Sequence, residues 1–288
     1  MVAKVEDWSK AGLEYTVEDD VAWLRMNRPD KRNAMNHYPD GNGPNGMGLR
    51  DALLAAITDV SEDGNVKAAV ITGTGSAFSA GADIRMPSGP IEIPPERRRQ
   101  PGRQVIRDDG VLYGWSRLME AIWRSETPFI AAVNGMAAGG GCALALACDL
   151  ILAADTAAFW EAFVRRGLPL EGGGAWLLPR MIGLPRAKEL ALFGEPLDAA
   201  RAEQWGLINR CVPAAELEAT AREWAGRLAH MSPPTTGPSM GEHDADLSVR
   251  VGHIKWQLNS AMESSMQTTF REEVTLLALG LGELPPGL

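Results

Sequence analysis

Cysteine is scarce in this sequence, and what there is excludes a disulfide-built scaffold: Cys142, Cys148 and Cys211 are odd in number and sit in apolar surroundings. None is spaced with a histidine as metal ligands are, so buried, reduced thiols are expected. His37, His230, His243 and His253 are scattered, which speaks against a metal centre or a catalytic triad built from them. No apolar run reaches 18 residues, and Met1 to Asp7 lacks a signal-peptide core, so no membrane association and a cytoplasmic location are expected. Net positive charge is lacking too: −9 overall and a pI near 5.1 argue against a nucleic-acid partner. The cluster Glu96-Arg97-Arg98-Arg99 is a local exception of the kind that a phosphate-bearing ligand needs.

The chain holds enough apolar sequence for a sizeable core. At 288 residues and 45% hydrophobic content it suits one large domain with an appendage, divided here as residues 1–230 and a helical region, 231–288. Leu13 to Val17 and Val21 to Met26 read as paired strands around Glu18-Asp19-Asp20. Leu49 to Val60 carries apolar residues at helical spacing, and Ala68 to Ile71 and Phe129 to Val133 read as buried parallel strands. Val105 to Trp123 reads as a helix, Leu144 to Ala147 as part of one, and Asp149 to Ala153 as a strand. This alternation predicts an α/β fold. Helices are expected over Ala187 to Phe193, Asp198 to Trp205, Ala215 to Leu228 and Leu247 to Leu279. The stretch Asn36 to Gly48 is a loop in composition, and Pro87 to Gly102 has no clear period.

Two glycine-rich stretches carry the chemistry: F-S-A-G-A-D-I at Phe78 to Ile84, and A-V-N-G-M-A-A-G-G-G-C at Ala132 to Cys142. Each follows an apolar run and leads toward a helix, so free backbone N–H groups can converge on one oxygen. An oxyanion hole is the leading reading. Tight turns with close strand–helix packing are the competing one for either stretch alone.

The pair resembles the crotonase, or enoyl-CoA hydratase/isomerase, superfamily. The likeness extends through M-N-R-P-D-K-R-N-A-M at Met26 to Met35 and G-L-P-L-E-G-G-G-A-W-L-L-P-R at Gly167 to Arg180, in the family's order. It implies a crotonase-like fold of repeated ββα units with a C-terminal helical region. It also implies an acyl-CoA thioester substrate, coenzyme A as part of that substrate with no separate cofactor, and a homotrimer or homohexamer. Carried over residue by residue, the oxyanion amides belong to Ala82 and Gly140. The CoA moiety falls near Lys31, Arg32, Ala34, Ala80, Asp83 and Ile84, and the acyl group near Met86, Val111, Leu112 and Trp115. Ordinary surface charge or core packing is the competing reading for these.

The departures bear on the reaction. Where hydratases of the family place two glutamates, this sequence has Ala143 and Phe163, neither able to transfer a proton. Glu171, ahead of three glycines, stands where related isomerases hold an acidic residue, and it implies a double-bond shift without water. A glutamate there also suits the positive end of a helix dipole. Burial beside Leu168, Leu170 and Trp176 would raise its pKa. Glu161 is the reserve, expected on the same strand face as Phe163. A hydratase or hydrolase with water activated by Glu171 or Glu161, and a non-catalytic CoA-ester-binding homologue, remain open. Gly41 to Gly46 matches a dinucleotide motif and Gly237 to Gly241 a serine-hydrolase motif, but neither has the flanking strand that its chemistry needs.

Overall fold

The computed structural model describes residues 5–36, 43, 46–83, 113–231 and 247–280. Within them the chain runs α1 (Val5–Lys10), β1 (Leu13–Glu18), β2 (Val21–Met26), α2 (Leu49–Glu62), β3 (Ala68–Gly73), β4 (Ala77–Ser79), α3 (Tyr113–Arg124), β5 (Phe129–Val133), β6 (Met136–Ala138), α4 (Gly140–Ala147), β7 (Leu150–Ala154) and β8 (Ala158–Trp160). It continues as α5 (Gly174–Ile182), α6 (Leu184–Phe193), β9 (Leu197–Asp198), α7 (Ala199–Trp205), β10 (Arg210–Val212), α8 (Leu217–Ala229), α9 (Leu247–Ala261) and α10 (Met266–Gly280).

Six strands form the main sheet in the order β1-β2-β3-β5-β7-β10, parallel except for the β1–β2 hairpin. Every residue of β3 and β5 is buried, which is why their sequences are continuous apolar runs instead of alternating ones. β1 is half exposed, and its polar residues fall there. A second sheet of four short strands has the order β4-β6-β8-β9.

Three times a long strand of the main sheet turns a corner into a short strand of the second: β3 into β4, β5 into β6, β7 into β8. The corners are fixed by close backbone approach and by one side chain. A methyl group on Gly73 would stand 2.5 Å from the Ala77 carbonyl oxygen, and one on Gly135 would stand 2.3 Å from that of Ser76. Asn134 Oδ1 accepts from the Gly73 N–H at 3.1 Å while its Nδ2 donates to the Gly75 carbonyl at 3.0 Å, tying two corners together. This brings the glycine-rich stretches after β4 and β6 side by side.

The expected helices and long strands are present with shifted ends. Asp149 lies just outside β7, where its carboxylate accepts from the Phe129 N–H and pairs with Lys255 at 2.8 Å. The expected single helix from Leu247 to Leu279 is broken at 262–265, because Ser265 Oγ accepts from the Thr268 N–H and starts α10 afresh. α1 and the short second-sheet strands were not anticipated. The first part of the helix expected from Val105 and the Pro87 to Gly102 stretch lie outside the described residues. α9 is held to the body by Lys255, a buried cation whose Nζ also donates to the Ile122 and Thr127 carbonyls at 2.9 Å each. Among the described residues no helix is long and apolar enough to cross a membrane.

Candidate active site

The site forms where the two glycine-rich stretches meet. A methyl group on Gly81 would stand 2.5 Å from the Ala138 carbonyl oxygen and 3.0 Å from the Gly140 nitrogen, and one on Gly141 would strike Ser79. Only glycine permits this contact, and Gly81 also has φ of +80°. Ala82 bridges to Met35 in parallel: the Met35 N–H donates to the Gly81 carbonyl at 2.7 Å, and the Asp83 N–H to the Met35 carbonyl at 3.1 Å. That pairing uses the amides either side of Ala82 and leaves the Ala82 N–H on the opposite edge. Gly140 is the first residue of α4, so its N–H has no partner within the helix. Neither N–H donates to a protein acceptor among the described residues. Ala82 is exposed and Gly140 half-buried, so both are reachable from outside.

Trp115, expected in the acyl pocket, lies directly on this feature. Its ring edge would be 2.7 Å from a methyl on Gly140. Ile84, Met86, Val111 and Leu112 lie outside the described residues.

The segment from Arg28 to Met35 wraps onto the first stretch. Ala80 donates its N–H to the Arg32 carbonyl at 2.9 Å; Ser79 Oγ donates to the Asn33 carbonyl at 2.8 Å. Arg32, Ala34, Ala80 and Asp83 are thereby brought together. The Lys31 ammonium is half-exposed and pairs with Asp30 at 3.5 Å. Two residues that the sequence did not flag hold the segment. Arg28 bonds the Ala34 carbonyl, Asn36 Oδ1 at 2.9 Å and Asp83 Oδ2 at 3.4 Å. Asn33 is fully buried at φ +53°, with its Nδ2 donating to the Thr74 and Ala77 carbonyls. Its only sequence signal was the polar side chain next to Ala34 in a motif otherwise read for charge.

Ala143 and Phe163, at the two positions where hydratases carry glutamates, are buried apolar residues; the Phe163 ring is 4.0 Å from where a methyl on Gly139 would lie. Glu171 is half-buried in the turn before α5. The next residue, Gly172, packs so closely that a methyl on it would be 2.7 Å from Cβ of Ala143, one turn into α4. Desolvation by this surrounding raises the pKa of Glu171, and the nearby Arg50 guanidinium opposes that rise. Leu168, expected to help bury it, is instead 54% exposed, so the desolvation does not come from that side chain.

Glu161 is placed differently from expectation. β8 ends at Trp160, so strand alternation does not govern it, and the side chain is fully buried. Neither carboxylate oxygen has a hydrogen bond of ordinary geometry. They face Gly174 at the start of α5, with the Cys142 thiol nearby. Burial raises Glu161 from 4.5 to about 7, against a smaller lowering by Cys142. Cys142, also fully buried, is pushed well above the ordinary thiol range by burial and then by Glu161. All three cysteines are free, Cys211 being only partly buried, and no cluster fit to hold a metal ion occurs among the described residues.

Two main-chain N–H groups without a protein acceptor among the described residues, one of them at a helix N-terminus, on glycine stretches packed against each other, are donors of the type that stabilises an enolate or oxyanion. The enoyl-CoA hydratase/isomerase family model matches residues 16–276, and the chain belongs to this family, whose enzymes act on CoA thioesters. It is 36% identical over 230 residues to a probable enoyl-CoA hydratase from Rhodobacter capsulatus, covering 79% of this chain and 76% of the relative. It is 34% identical over 256 residues to the 1,2-epoxyphenylacetyl-CoA isomerase of Escherichia coli, covering 88% and 83%. A crystal structure of a monofunctional enoyl CoA isomerase from M. smegmatis superposes with a TM-score of 0.68 at 29% identity, covering 91% of this chain and 99% of that one.

Proposed function

We propose that the protein is an acyl-CoA double-bond isomerase in which Glu171 is the proton-transfer group. The observation that carries this reading is the replacement of carboxylates by Ala143 and Phe163 beside the glycine stretches, while Glu171 occupies the turn packed on Ala143. Glu171 removes a proton from the α carbon of a 3-enoyl thioester, and the electron pair of that C–H bond moves through to the carbonyl oxygen. The N–H groups of Ala82 and Gly140 hold the developing negative charge, each contributing about 3 to 4 kcal/mol of transition-state stabilisation. The same carboxylic acid then returns the proton to the γ carbon, leaving a 2-enoyl thioester. No water is consumed.

The raised pKa of Glu171 suits it to proton transfer with a weakly acidic carbon, since a stronger base is formed at modest cost in ionisation. Lys31, Arg32, Ala34, Ala80 and Asp83 flank the hole and are assigned to the CoA portion, with Trp115 against the acyl portion. The isomerase names among the relatives support the reading; the hydratase names are the reason to test it against hydration.

Incubation with 3-enoyl-CoA and 2-enoyl-CoA in deuterated water separates the possibilities. Deuterium entering the α and γ carbons with no 3-hydroxyacyl product is expected. Formation of 3-hydroxyacyl-CoA or free acid would replace isomerisation by water chemistry, and binding without any exchange would mean a non-catalytic protein.

A further inference from the structure

The pairing that aims the Ala82 N–H is short. Met35 and Ala82 form an isolated bridge outside both sheets, closed by the Met35 N–H on the Gly81 carbonyl at 2.7 Å and the Asp83 N–H on the Met35 carbonyl at 3.1 Å. No ladder of strand pairs holds its register. On the side before Ala82 the two segments are tied again, by the Ala80 N–H on the Arg32 carbonyl and by Ser79 Oγ on the Asn33 carbonyl. On the side after Ala82, one side chain, Arg28, reaches both segments.

Arg28 Nη1 donates to the Ala34 carbonyl and, at 2.9 Å, to Asn36 Oδ1, the residues either side of Met35. Its Nη2 donates at 3.4 Å to Oδ2 of Asp83, the residue after Ala82. A guanidinium suits this task because its donors are splayed in a rigid plane. The acceptor Asn36 Oδ1 is itself held, since it also accepts from the Leu49 N–H at the start of α2 at 3.0 Å. The arginine is held as well. Its own N–H donates to Asn33 Oδ1 at 2.9 Å, its carbonyl accepts from the Asn33 N–H at 2.9 Å, and a methyl group on Gly12 would stand 2.8 Å from its Cδ. The Arg28 and Asp83 side chains are 17% and 9% exposed, a setting in which an ion pair acts on register more than on net stability.

We propose that Arg28 is a positioning residue: by clamping Ala34, Asn36 and Asp83 it sets the direction of the Ala82 N–H, and through it the polarisation of the thioester carbonyl, without itself touching the reacting atoms. The inference rests on the proposed seating of that carbonyl at Ala82 and Gly140, and is independent of which carboxylate is the base. Asp83 then serves the hole as well as the CoA portion.

The test compares wild type, Arg28→Met and Arg28→Lys in two measurements, with circular dichroism as a check on folding. One is kcat and KM on 3-enoyl-CoA; the other is the infrared carbonyl band of saturated hexanoyl-CoA, ¹³C-labelled at the carbonyl and bound at saturation, which has no double bond to shift. Arg28→Met is expected to lower kcat about tenfold to a hundredfold with KM raised no more than about threefold, since misplacing a donor by about 1 Å costs rate on that scale. Its bound carbonyl band should move back toward the frequency of the free thioester. Arg28→Lys keeps a charge for Asp83 but loses the fork, and should fall between the two in both measurements. A raised KM with kcat unchanged overturns the proposal, because an anchor of the CoA segment alone gives that result. If Arg28→Met fails to fold, Asp83→Ala decides by the same band: displacement toward the free frequency supports the clamp, and an unmoved band overturns it. A wild-type band already at the free-thioester frequency would remove the oxyanion hole itself; a lowered wild-type band that Arg28→Met leaves in place removes only the role of Arg28.

Discussion

Glu161 and Glu171 are ten residues apart, and burial raises the pKa of both, but their settings differ in what can reach them. Glu171 is half-buried, in a turn packed against α4 and within the field of Arg50. Glu161 is sealed, its two oxygens without hydrogen bonds, between Gly174 and Cys142. A raised pKa therefore does not by itself identify a base. Access to substrate and a compensating cation separate a carboxylate that can exchange protons with a ligand from one that can only store a penalty.

Replacing each by glutamine tests that difference most severely. Glu171→Gln is expected to lower isomerase turnover by a factor on the order of 10² to 10⁴ while leaving the affinity for CoA unchanged. Glu161→Gln should leave turnover within about threefold of the wild type, as expected for a substitution that makes no new demand on the site. Equal losses in the two variants, measured as initial rates on 3-enoyl-CoA, would erase the distinction.

Stability should show the reverse order. Because Glu161 has a folded pKa of about 7 against an ordinary 4.5, the folded protein keeps a proton in that window which the unfolded chain has released. Stability then falls as pH rises from 4.5 to about 7 and levels off above, a loss of about 3 kcal/mol from this group. Glu161→Gln removes the dependence, so urea unfolding at pH 5 and pH 8 should give the variant a smaller difference than the wild type. An unchanged difference would mean that Glu161 is charged and satisfied in the folded state.

What could be read from the sequence follows the same division between local and distant causes. The strands β3 and β5 were legible because a parallel strand buried on both faces is an uninterrupted apolar run. The meeting of the two glycine stretches was legible because its glycines are demanded by contacts that recur in a few consecutive residues, as at Gly81 and Gly141. The three-residue strands β4, β6 and β8 escaped because they are too short to show a period of two. Arg50 escaped because the ring it lies over, Trp115, comes from α3, far along the chain; the signal was a charge on the apolar stripe of a helix. The sealing of Glu161 likewise depends on Cys142 and Gly174, which sequence spacing alone does not bring together.

The most direct test of a thioester oxygen held by the amides of Ala82 and Gly140 is the infrared carbonyl stretch of ¹³C-labelled 3-enoyl-CoA bound to Glu171→Gln, in which turnover is expected to be slowed. Two preorganised donors polarise the C=O bond, so the band should shift to lower frequency than in free solution. A bound carbonyl at the frequency of the free thioester would contradict the account.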